Sequence, residues 1–184
     1  MANLKVPVTS TDHILGDEQA AVTLVEYGDY ECPHCGHAHP IVNAVRKHFG
    51  KQLRFVFRNF PLTEIHPHAE AAAEAAEFAG SQGRFWEMHD GIFENQSRLS
   101  GSFLVKLGAG LGLPAEKLEA ALAGHEYLPR IKSDFLGGVR SGVNGTPTFF
   151  INGVRYEGAP EFEDLVESIG EEISKGKPDH RRVG

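Results

Sequence analysis

The chain of 184 residues contains 41% hydrophobic and 23% charged residues, a composition typical of a folded globular protein and not of a disordered one. Its formal net charge is −7, which argues against a general electrostatic grip on nucleic acid. No apolar run approaches the ~20 residues that a bilayer-spanning helix needs, so we expect no membrane insertion. Residues 1–21 are polar and turn-rich and include no secretory-type apolar segment. This predicts a cytoplasmic protein, with a periplasmic chain whose signal peptide was removed as the alternative.

The next part of the chain predicts a β–α–β unit. The run 22–28 is apolar and β-branched, as a buried strand would be, and it carries one anomaly, the carboxylate of Glu26. Segment 33–49 is typical of a helix, and Pro33 suits the first helical position because its missing N–H would be unpaired there anyway. The alternating run 53–58 predicts a second strand. Because a helix joins the two strands, we expect them to be parallel.

The middle of the chain predicts a block of helices. The alanine-rich stretch 69–79 carries Glu70, Glu74 and Glu77 on one face, which predicts a helix that is packed on one side and wet on the other. Four further stretches before residue 143 have apolar side chains at helical spacing. They are marked by Phe85, His89, Ile92 and Phe93; by Leu104, Leu107 and Leu111; by Leu118, Ala121 and Leu122; and by Leu128, Ile131, Phe135 and Val139.

Strand signals return near the end of the chain. Segments 146–151 and 154–156 flank Asn152-Gly153, a dipeptide typical of a tight β-hairpin turn. Segment 160–173 then has apolar residues in helical register, which predicts a last helix. The stretch 175–184 is interpreted as a frayed basic tail.

The order of these elements predicts one α/β domain over residues 1–184. Its sheet is expected to be mixed, because the helical crossover gives a parallel pair and the hairpin gives an antiparallel edge pair. Helices are expected to flank this sheet. The helices between the second strand and the hairpin form an α-helical insertion at about residues 62–143.

The only two cysteines of the chain, Cys32 and Cys35, are separated by two residues, where a predicted strand leads into a predicted helix. Unpaired N–H groups and the helix dipole at a helix N-terminus favour a negative charge. We therefore expect an exposed Cys32 to ionise near neutral pH and to attack a disulfide as a thiolate. Cys35, one turn into the helix and more buried, would resolve the mixed disulfide. Glu26, half-buried beneath the site, could take or relay the proton from Cys35.

Two segments carry a family resemblance. Residues 25–35 (VEYGDYECPHC) and 145–153 (GTPTFFING) resemble the thioredoxin superfamily. In particular they resemble its DsbA-like branch, whose thioredoxin fold is split by a helical insertion. The resemblance covers nearly the whole chain, roughly from His13 to Ile173.

The resemblance implies a thioredoxin-like fold and a protein-disulfide oxidoreductase. Its partners would be protein thiols and disulfides, together with a redox partner that recycles the dithiol. It implies that Cys32 is the nucleophile, Cys35 the resolving thiol and Glu26 the buried acid. No metal or organic cofactor is expected.

The resemblance also assigns the residues that border the substrate. It implies a cis peptide bond at Pro147, which would leave the backbone of Thr146 free to pair with a substrate chain in β fashion; Pro33 is assigned to the same surface. The Pro-His dipeptide resembles the strong oxidants, because a His34 ring near the Cys32 sulfur would stabilise the thiolate. Thr146 resembles the isomerase and reductase relatives instead, so the redox direction stays open.

Two other functions were weighed against exchange. Cys32, Cys35, His37 and His39 crowd together, which is the basis of a metal-site hypothesis, but known zinc spacings need a second, separated ligand pair. The third hypothesis is a binding or chaperone module that has the fold without turnover. Three further histidines are interpreted as ordinary surface or core residues: His66, His68 and His89.

Overall fold

The computed structural model describes residues 3–176. Most of the basic tail expected from residue 175 onwards therefore lies outside the described residues. Within them, no helix combines the length and the apolar character that a bilayer crossing requires. The strands are β1 (His13–Leu15), β2 (Val22–Gly28), β3 (Leu53–Asn59), β4 (Thr148–Ile151) and β5 (Val154–Arg155). The α-helices are α1 (Pro33–Phe49), α2 (Ala69–Ser81), α3 (Phe85–Glu94), α4 (Gly101–Gly110), α5 (Ala115–Ala123), α6 (Leu128–Arg140) and α7 (Phe162–Lys175).

The five strands form one mixed sheet in the order β1-β3-β2-β4-β5. β2 and β3 are parallel, whereas β4 is antiparallel to β2 and pairs with β5 through the Asn152-Gly153 turn. Both features confirm the predicted crossover and hairpin. β1 was not predicted, because three residues in a polar, turn-rich segment show no periodicity. Its strand state comes from antiparallel pairing with β3, in which His13 lies opposite Phe57.

The alternation of side chains along β2 divides the core into two layers. Val22 and Leu24 belong to the larger apolar cluster, which also includes buried residues of α1, α7 and the insertion helices. Val25 and Tyr27 belong to a smaller cluster on the opposite face of the sheet. Because Glu26 has the parity of Val22 and Leu24, it points into the layer that contains both cysteines.

The expected helical insertion lies between β3 and β4 and consists of α2 to α6. The prediction that the glutamate face of α2 is wet was wrong, because Glu74 and Glu77 are buried. Glu77 accepts a hydrogen bond from Asn59 Nδ2 at 2.7 Å and pairs with His13 Nε2 at 2.9 Å. Glu74 pairs with His125 Nδ1 at 2.9 Å. Both carboxylates are thus buried with polar partners, as buried charges generally are.

The smaller layer also holds a buried charge, the guanidinium of Arg58. It donates to both carboxylate oxygens of Asp12, at 2.7 and 3.0 Å. Its remaining N–H groups donate to the carbonyl oxygens of Val6 and Pro7, at 2.8 and 2.9 Å, and to the Tyr27 hydroxyl at 2.9 Å. This network fastens the segment before β1 to β2 and β3.

Candidate active site

The two cysteines lie where β2 leads into α1. Cys32 is the N-cap residue of α1 and has an extended backbone, and Pro33 occupies the first turn as predicted. The Cys32 N–H donates to the carbonyl oxygen of Asp29 at 3.2 Å, which closes the turn between strand and helix. The free N–H groups of the first helical turn therefore surround the Cys32 sulfur.

Cys32 is only 4% exposed, whereas the sequence predicted an exposed thiol. The loop before β4 covers it, and the thiol donates to the carbonyl oxygen of Thr146 at 3.4 Å. Its pKa is lowered from 9.0 to about 5, first because the Cys35 thiol donates a hydrogen bond to the sulfur. The Thr146 side chain and the backbone N–H groups of Cys35 and His34 add to this effect, against the burial of the thiol. At neutral pH this sulfur is a thiolate.

Cys35 differs from Cys32 in both exposure and acidity. It is fully buried, and burial raises the pKa of its thiol well above the usual range. Its hydrogen bond to Cys32 and the nearby Glu26 carboxylate raise that pKa further. The backbone N–H of Asp29 donates to the Cys35 sulfur at 3.4 Å, which acts in the opposite direction. The site therefore pairs one acidic thiol with one that stays protonated.

Glu26 lies beneath this pair and is 3% exposed, more deeply buried than the half-buried position expected from sequence. Burial raises the pKa of its carboxyl group to about 8, and the negative charge of Cys32 contributes to the rise. Among the described residues, no hydrogen bond and no positive charge acts to lower this pKa. A carboxyl group with such a pKa can accept and release a proton near neutral pH.

The Thr146-Pro147 segment reaches the dithiol because β4 pairs with β2, with Thr148 opposite Tyr27. The Thr146-Pro147 peptide bond is cis. The hydroxyl oxygen of Thr146 is buried and has no hydrogen-bond acceptor or donor in the described chain other than the adjacent Cys32 sulfur. The segment thus contributes a carbonyl oxygen and a hydroxyl group to the surroundings of Cys32.

The sequence placed the His34 ring beside the Cys32 sulfur. The structure shows an exposed His34, whose backbone N–H is the group that lowers the pKa of Cys32. Among the hydrogen bonds of residues 3–176, none involves the His34 ring. The contact that the structure shows between His34 and Cys32 is therefore one made by the helix N-terminus.

Asp29 is a site residue that the sequence interpretation missed. Its buried carboxylate accepts from the backbone N–H groups of Glu31 and Leu62, both at 2.8 Å, and pairs with His66 Nδ1 at 2.8 Å. These three bonds hold the residue whose own N–H donates to Cys35. An Asp that bonds the N–H two residues on is a recognisable turn signal, but the two partners in segment 62–66 are distant in sequence.

Gln96, in the short 3₁₀ helix between α3 and α4, was also missed. Its side-chain amide donates to the carbonyl oxygens of Tyr30 and Cys32, at 3.0 and 2.7 Å. A Cβ atom at Gly36 would collide with this amide. Gly36 therefore lets the insertion approach the first turn of α1 and satisfy the carbonyl groups that precede it.

The two histidines of the metal hypothesis, His37 and His39, contact carboxylates and not the two sulfurs. His37 Nε2 is 3.3 Å from Glu161 Oε1, and His39 Nε2 is 3.5 Å from Asp90 Oδ1. In the part of the chain that the structure describes, no group of three metal-ligating side chains includes a cysteine. The two imidazoles and the two sulfurs thus do not converge on one point.

Comparison with known proteins defines the class of this fold. A family model described as thioredoxin matches residues 8–171, and the chain belongs to the thioredoxin family. BdbD from Bacillus subtilis superposes with a TM-score of 0.85 at 24% identity, over 94% of this chain and 98% of that one. α-DsbA1 from Wolbachia pipientis superposes with a TM-score of 0.81 at 20% identity, over 94% and 95%. The thioredoxin-like, DsbA-like fold with a helical insertion, predicted from sequence, is confirmed.

Relatives with higher sequence identity carry a different name. The Na(+)/H(+) antiporter NhaA 1 of Salinispora arenicola is 44% identical over 168 residues, which is 91% of this chain and 26% of the antiporter. The Na(+)/H(+) antiporter NhaA of Herminiimonas arsenicoxydans is 43% identical over 148 residues, 80% and 23% respectively. The chain thus spans about a quarter of the length of these relatives, and their name describes the whole of each protein.

Proposed function

We propose that this protein is a thiol–disulfide oxidoreductase that exchanges disulfides with protein thiols through Cys32 and Cys35. The observation that carries the proposal is the asymmetry of the pair. The pKa of Cys32 is about 5, whereas the pKa of the adjacent, buried Cys35 lies well above its usual range. Such a pair provides one thiolate for attack and holds the second thiol in reserve.

The reaction begins with attack by the Cys32 thiolate on a substrate disulfide. A bond forms between Cys32 and one substrate sulfur, and the other substrate sulfur leaves as a thiolate. Cys35 then attacks the Cys32 sulfur and loses its proton to Glu26, which displaces the second substrate thiolate. The substrate gains two electrons and the protein retains a Cys32–Cys35 disulfide; the reverse sequence oxidises a substrate dithiol.

Thr146 is proposed to bind the substrate chain. Its carbonyl oxygen lies 3.4 Å from the Cys32 sulfur and accepts a hydrogen bond only from the protonated thiol. The thiolate and the mixed disulfide both lack that proton, so in both states the carbonyl oxygen is available to a backbone N–H of the substrate in β-sheet fashion. Pro33 and Pro147 flank Cys32 in sequence and across the site, and we assign them to the same surface.

The redox direction follows from the compartment and the recycling partner. Stabilising the Cys32 thiolate stabilises the reduced protein and makes its disulfide more oxidising, which favours oxidase activity. In a reducing cytoplasm, as predicted from sequence, the same dithiol would act as a reductase or isomerase. Equilibration with glutathione buffers measures the potential and decides how strong an oxidant the disulfide is.

Alkylation kinetics and insulin reduction test the proposal together. In reduced wild type and in Cys35→Ser, iodoacetamide should react rapidly with one thiol, whose titration midpoint lies at acid pH. Cys32→Ser should lack this rapid reaction. With a mixed disulfide of glutathione as substrate, Cys35→Ser should accumulate a Cys32–glutathione adduct that wild type resolves. An acid-titrating thiol without insulin reduction, combined with suppression of aggregation by Cys32→Ser, would instead establish the chaperone-type module.

A further inference from the structure

A group of nitrogen and oxygen donors that the dithiol chemistry does not use lies between α1 and α3. It consists of His39 on α1 and the consecutive residues His89 and Asp90 on α3. One donor atom from each residue lies within 4.8 Å of the other two, and His39 Nε2 is 3.5 Å from Asp90 Oδ1. Around a tetrahedral metal ion with bonds of ~2.1 Å, ligand atoms are separated by ~3.4 Å. The distance between His39 and Asp90 therefore matches that of a coordination shell, and the third donor lies within 4.8 Å of both.

The two imidazoles supply the nitrogen donors of the group, and a neutral imidazole has one ring lone pair for a cation. The His39 nitrogen that faces Asp90 also contacts Asn43. Asn43 Nδ2 lies 3.3 Å from His39 Nε2, so a metal would replace one long hydrogen bond there.

The surroundings of the two rings resemble those of established metal ligands. His89 Nδ1 is 3.0 Å from the Tyr30 hydroxyl oxygen, which fixes the orientation of that ring. The His39 ring stacks on Phe93, with ring centroids 4.9 Å apart and planes 23° apart. In metal sites, a partner on the second ring nitrogen and a surrounding apolar wall restrict the ligand in this way.

We propose that His39, His89 and Asp90 form a binding site for a divalent transition-metal ion of the Zn²⁺ class. Two nitrogen donors and one carboxylate suit such ions, whereas Ca²⁺ and Mg²⁺ require mostly oxygen ligands. The positive charge of Arg46 acts on all three residues and lowers the affinity of the site for any cation. An open groove lined by Asn43, Arg46 and Asp90 reaches the Asp90 side of the site.

The site is distinct from the dithiol but mechanically close to it. His39 lies four residues after Cys35, about one helical turn further along α1. Tyr30, which orients His89, lies two residues before Cys32. A bound ion would therefore fasten the insertion, through α3, to the helix that begins at Cys32. This proposal does not depend on the proposed exchange activity.

The test uses the full chain with Cys32→Ser and Cys35→Ser, because a reduced dithiol itself binds Zn²⁺. Calorimetric titration with Zn²⁺ should show one site per chain, and Co²⁺ should give the absorption spectrum of a nitrogen- and oxygen-ligated ion. In this background His39→Ala should lower Zn²⁺ affinity by at least about 10-fold. The matched control is His37→Ala, on the same helix, which should change the affinity by less than about 2-fold. Asp90→Asn, at a half-exposed position, provides a second test and should also lower Zn²⁺ affinity.

Two further measurements separate a coordinated ion from nonspecific binding. Saturating Zn²⁺ should raise the melting temperature of the His37→Ala control and leave that of His39→Ala unchanged. Arg46→Gln should raise Zn²⁺ affinity several-fold, because it removes a like charge near the ion. The proposal is overturned if the cysteine-free protein binds no Zn²⁺ stoichiometrically, if His37→Ala and His39→Ala weaken binding equally, or if Mg²⁺ competes as well as Zn²⁺.

Discussion

The two faces of the central sheet each bury one charged group, and the two groups are treated in opposite ways. Arg58 in the smaller layer has a hydrogen-bond acceptor for each part of its guanidinium, with Asp12 bound at two points. For Glu26 in the larger layer, no hydrogen bond and no positive charge of the described residues offsets the effect of burial on the pKa. Burial opposes the charge of both side chains, but Asp12 and Tyr27 more than offset it for Arg58, whose pKa is raised.

The difference separates a structural charge from a reactive one. Arg58 stays charged over the whole accessible pH range and joins the N-terminal segment to the sheet. Glu26, with a pKa of about 8, changes its charge near neutral pH next to two thiols. Buried titratable groups with strongly shifted pKa values are more common at functional sites than elsewhere. Breaking each arrangement should therefore damage stability on one face and proton transfer on the other.

The largest effect on stability is expected for Arg58→Met. The variant leaves the Asp12 carboxylate and the Tyr27 hydroxyl buried without their partner, which should lower the free energy of unfolding by about 3–5 kcal/mol. Urea unfolding at pH 7 measures this change. The pKa of Cys32, followed by alkylation in the folded variant, should be unaltered, because the two sites lie in different layers. A shifted thiolate titration would show that the layers are coupled.

Glu26→Gln and Cys32→Ser should tilt the pH dependence of stability in opposite directions. The pKa of Glu26 is raised from 4.5 to about 8, so its stabilising contribution is complete below pH 4.5 and is lost as pH rises through 8. The pKa of Cys32 falls from 9.0 to about 5, so its contribution is present above pH 9 and is lost as pH falls through 5. In the reduced wild type the two nearly cancel between pH 5 and 8.

Each variant leaves one slope uncompensated. The reduced Glu26→Gln protein should gain stability from pH 5 to 8, and Cys32→Ser should lose it, by about 1.4 kcal/mol per pH unit in mid-window. Urea unfolding across this range measures both slopes. Oxidised wild type is the internal control and should follow Cys32→Ser, because neither has a thiolate. Parallel slopes in the two variants would contradict the pKa values given to the pair.

A smaller effect is expected where the insertion contacts the site. His66→Ala removes one of three bonds to the Asp29 carboxylate and should cost about 1–2 kcal/mol. It should also slow attack by Cys35 on a Cys32–glutathione disulfide, because Asp29 positions the N–H bound to Cys35. His68→Ala is the matched control, since His68 contacts Glu31 through its backbone N–H at 2.5 Å. Equal rates for the two variants would remove Asp29 from the positioning of Cys35.

The elements of the fold were predictable wherever the signal is local. The strand-to-helix turn at Cys32 and the Asn152-Gly153 hairpin depend on neighbouring residues, and both lie where the sequence placed them. β1 is the exception, because only pairing with β3 makes three residues a strand. The buried glutamates of α2 were misjudged for a similar reason. The spacing of the glutamates shows that they share one face of α2. Whether that face meets solvent or another helix depends on how the insertion packs.

For the candidate site, too, residues with a local sequence signal were predicted and those that depend on long-range contacts were not. Cys32 and Cys35 are recognisable from their spacing, and Glu26 from its place in an apolar strand. Gln96 lies 64 residues from Cys32, and His66 lies 37 residues from Asp29. Such contacts arise when the insertion folds back over the dithiol, and no periodicity in one sequence encodes them. Tertiary packing likewise determines that the His34 ring is exposed and that the Cys32 sulfur is covered.

The smallest effect is expected for His34, although the sequence alone favoured a larger one. If the backbone N–H of His34 is the group that acts on Cys32, His34→Ala keeps that donor and should raise the pKa of Cys32 by less than about 1 unit. Alkylation rates as a function of pH measure the change. His37→Ala, which removes another exposed imidazole of α1, controls for the general loss of positive charge. A rise well above 1 unit in His34→Ala alone would show that the imidazole itself stabilises the thiolate, and would add the ring to the Cys35 thiol and the backbone N–H groups as a source of the acidity of Cys32.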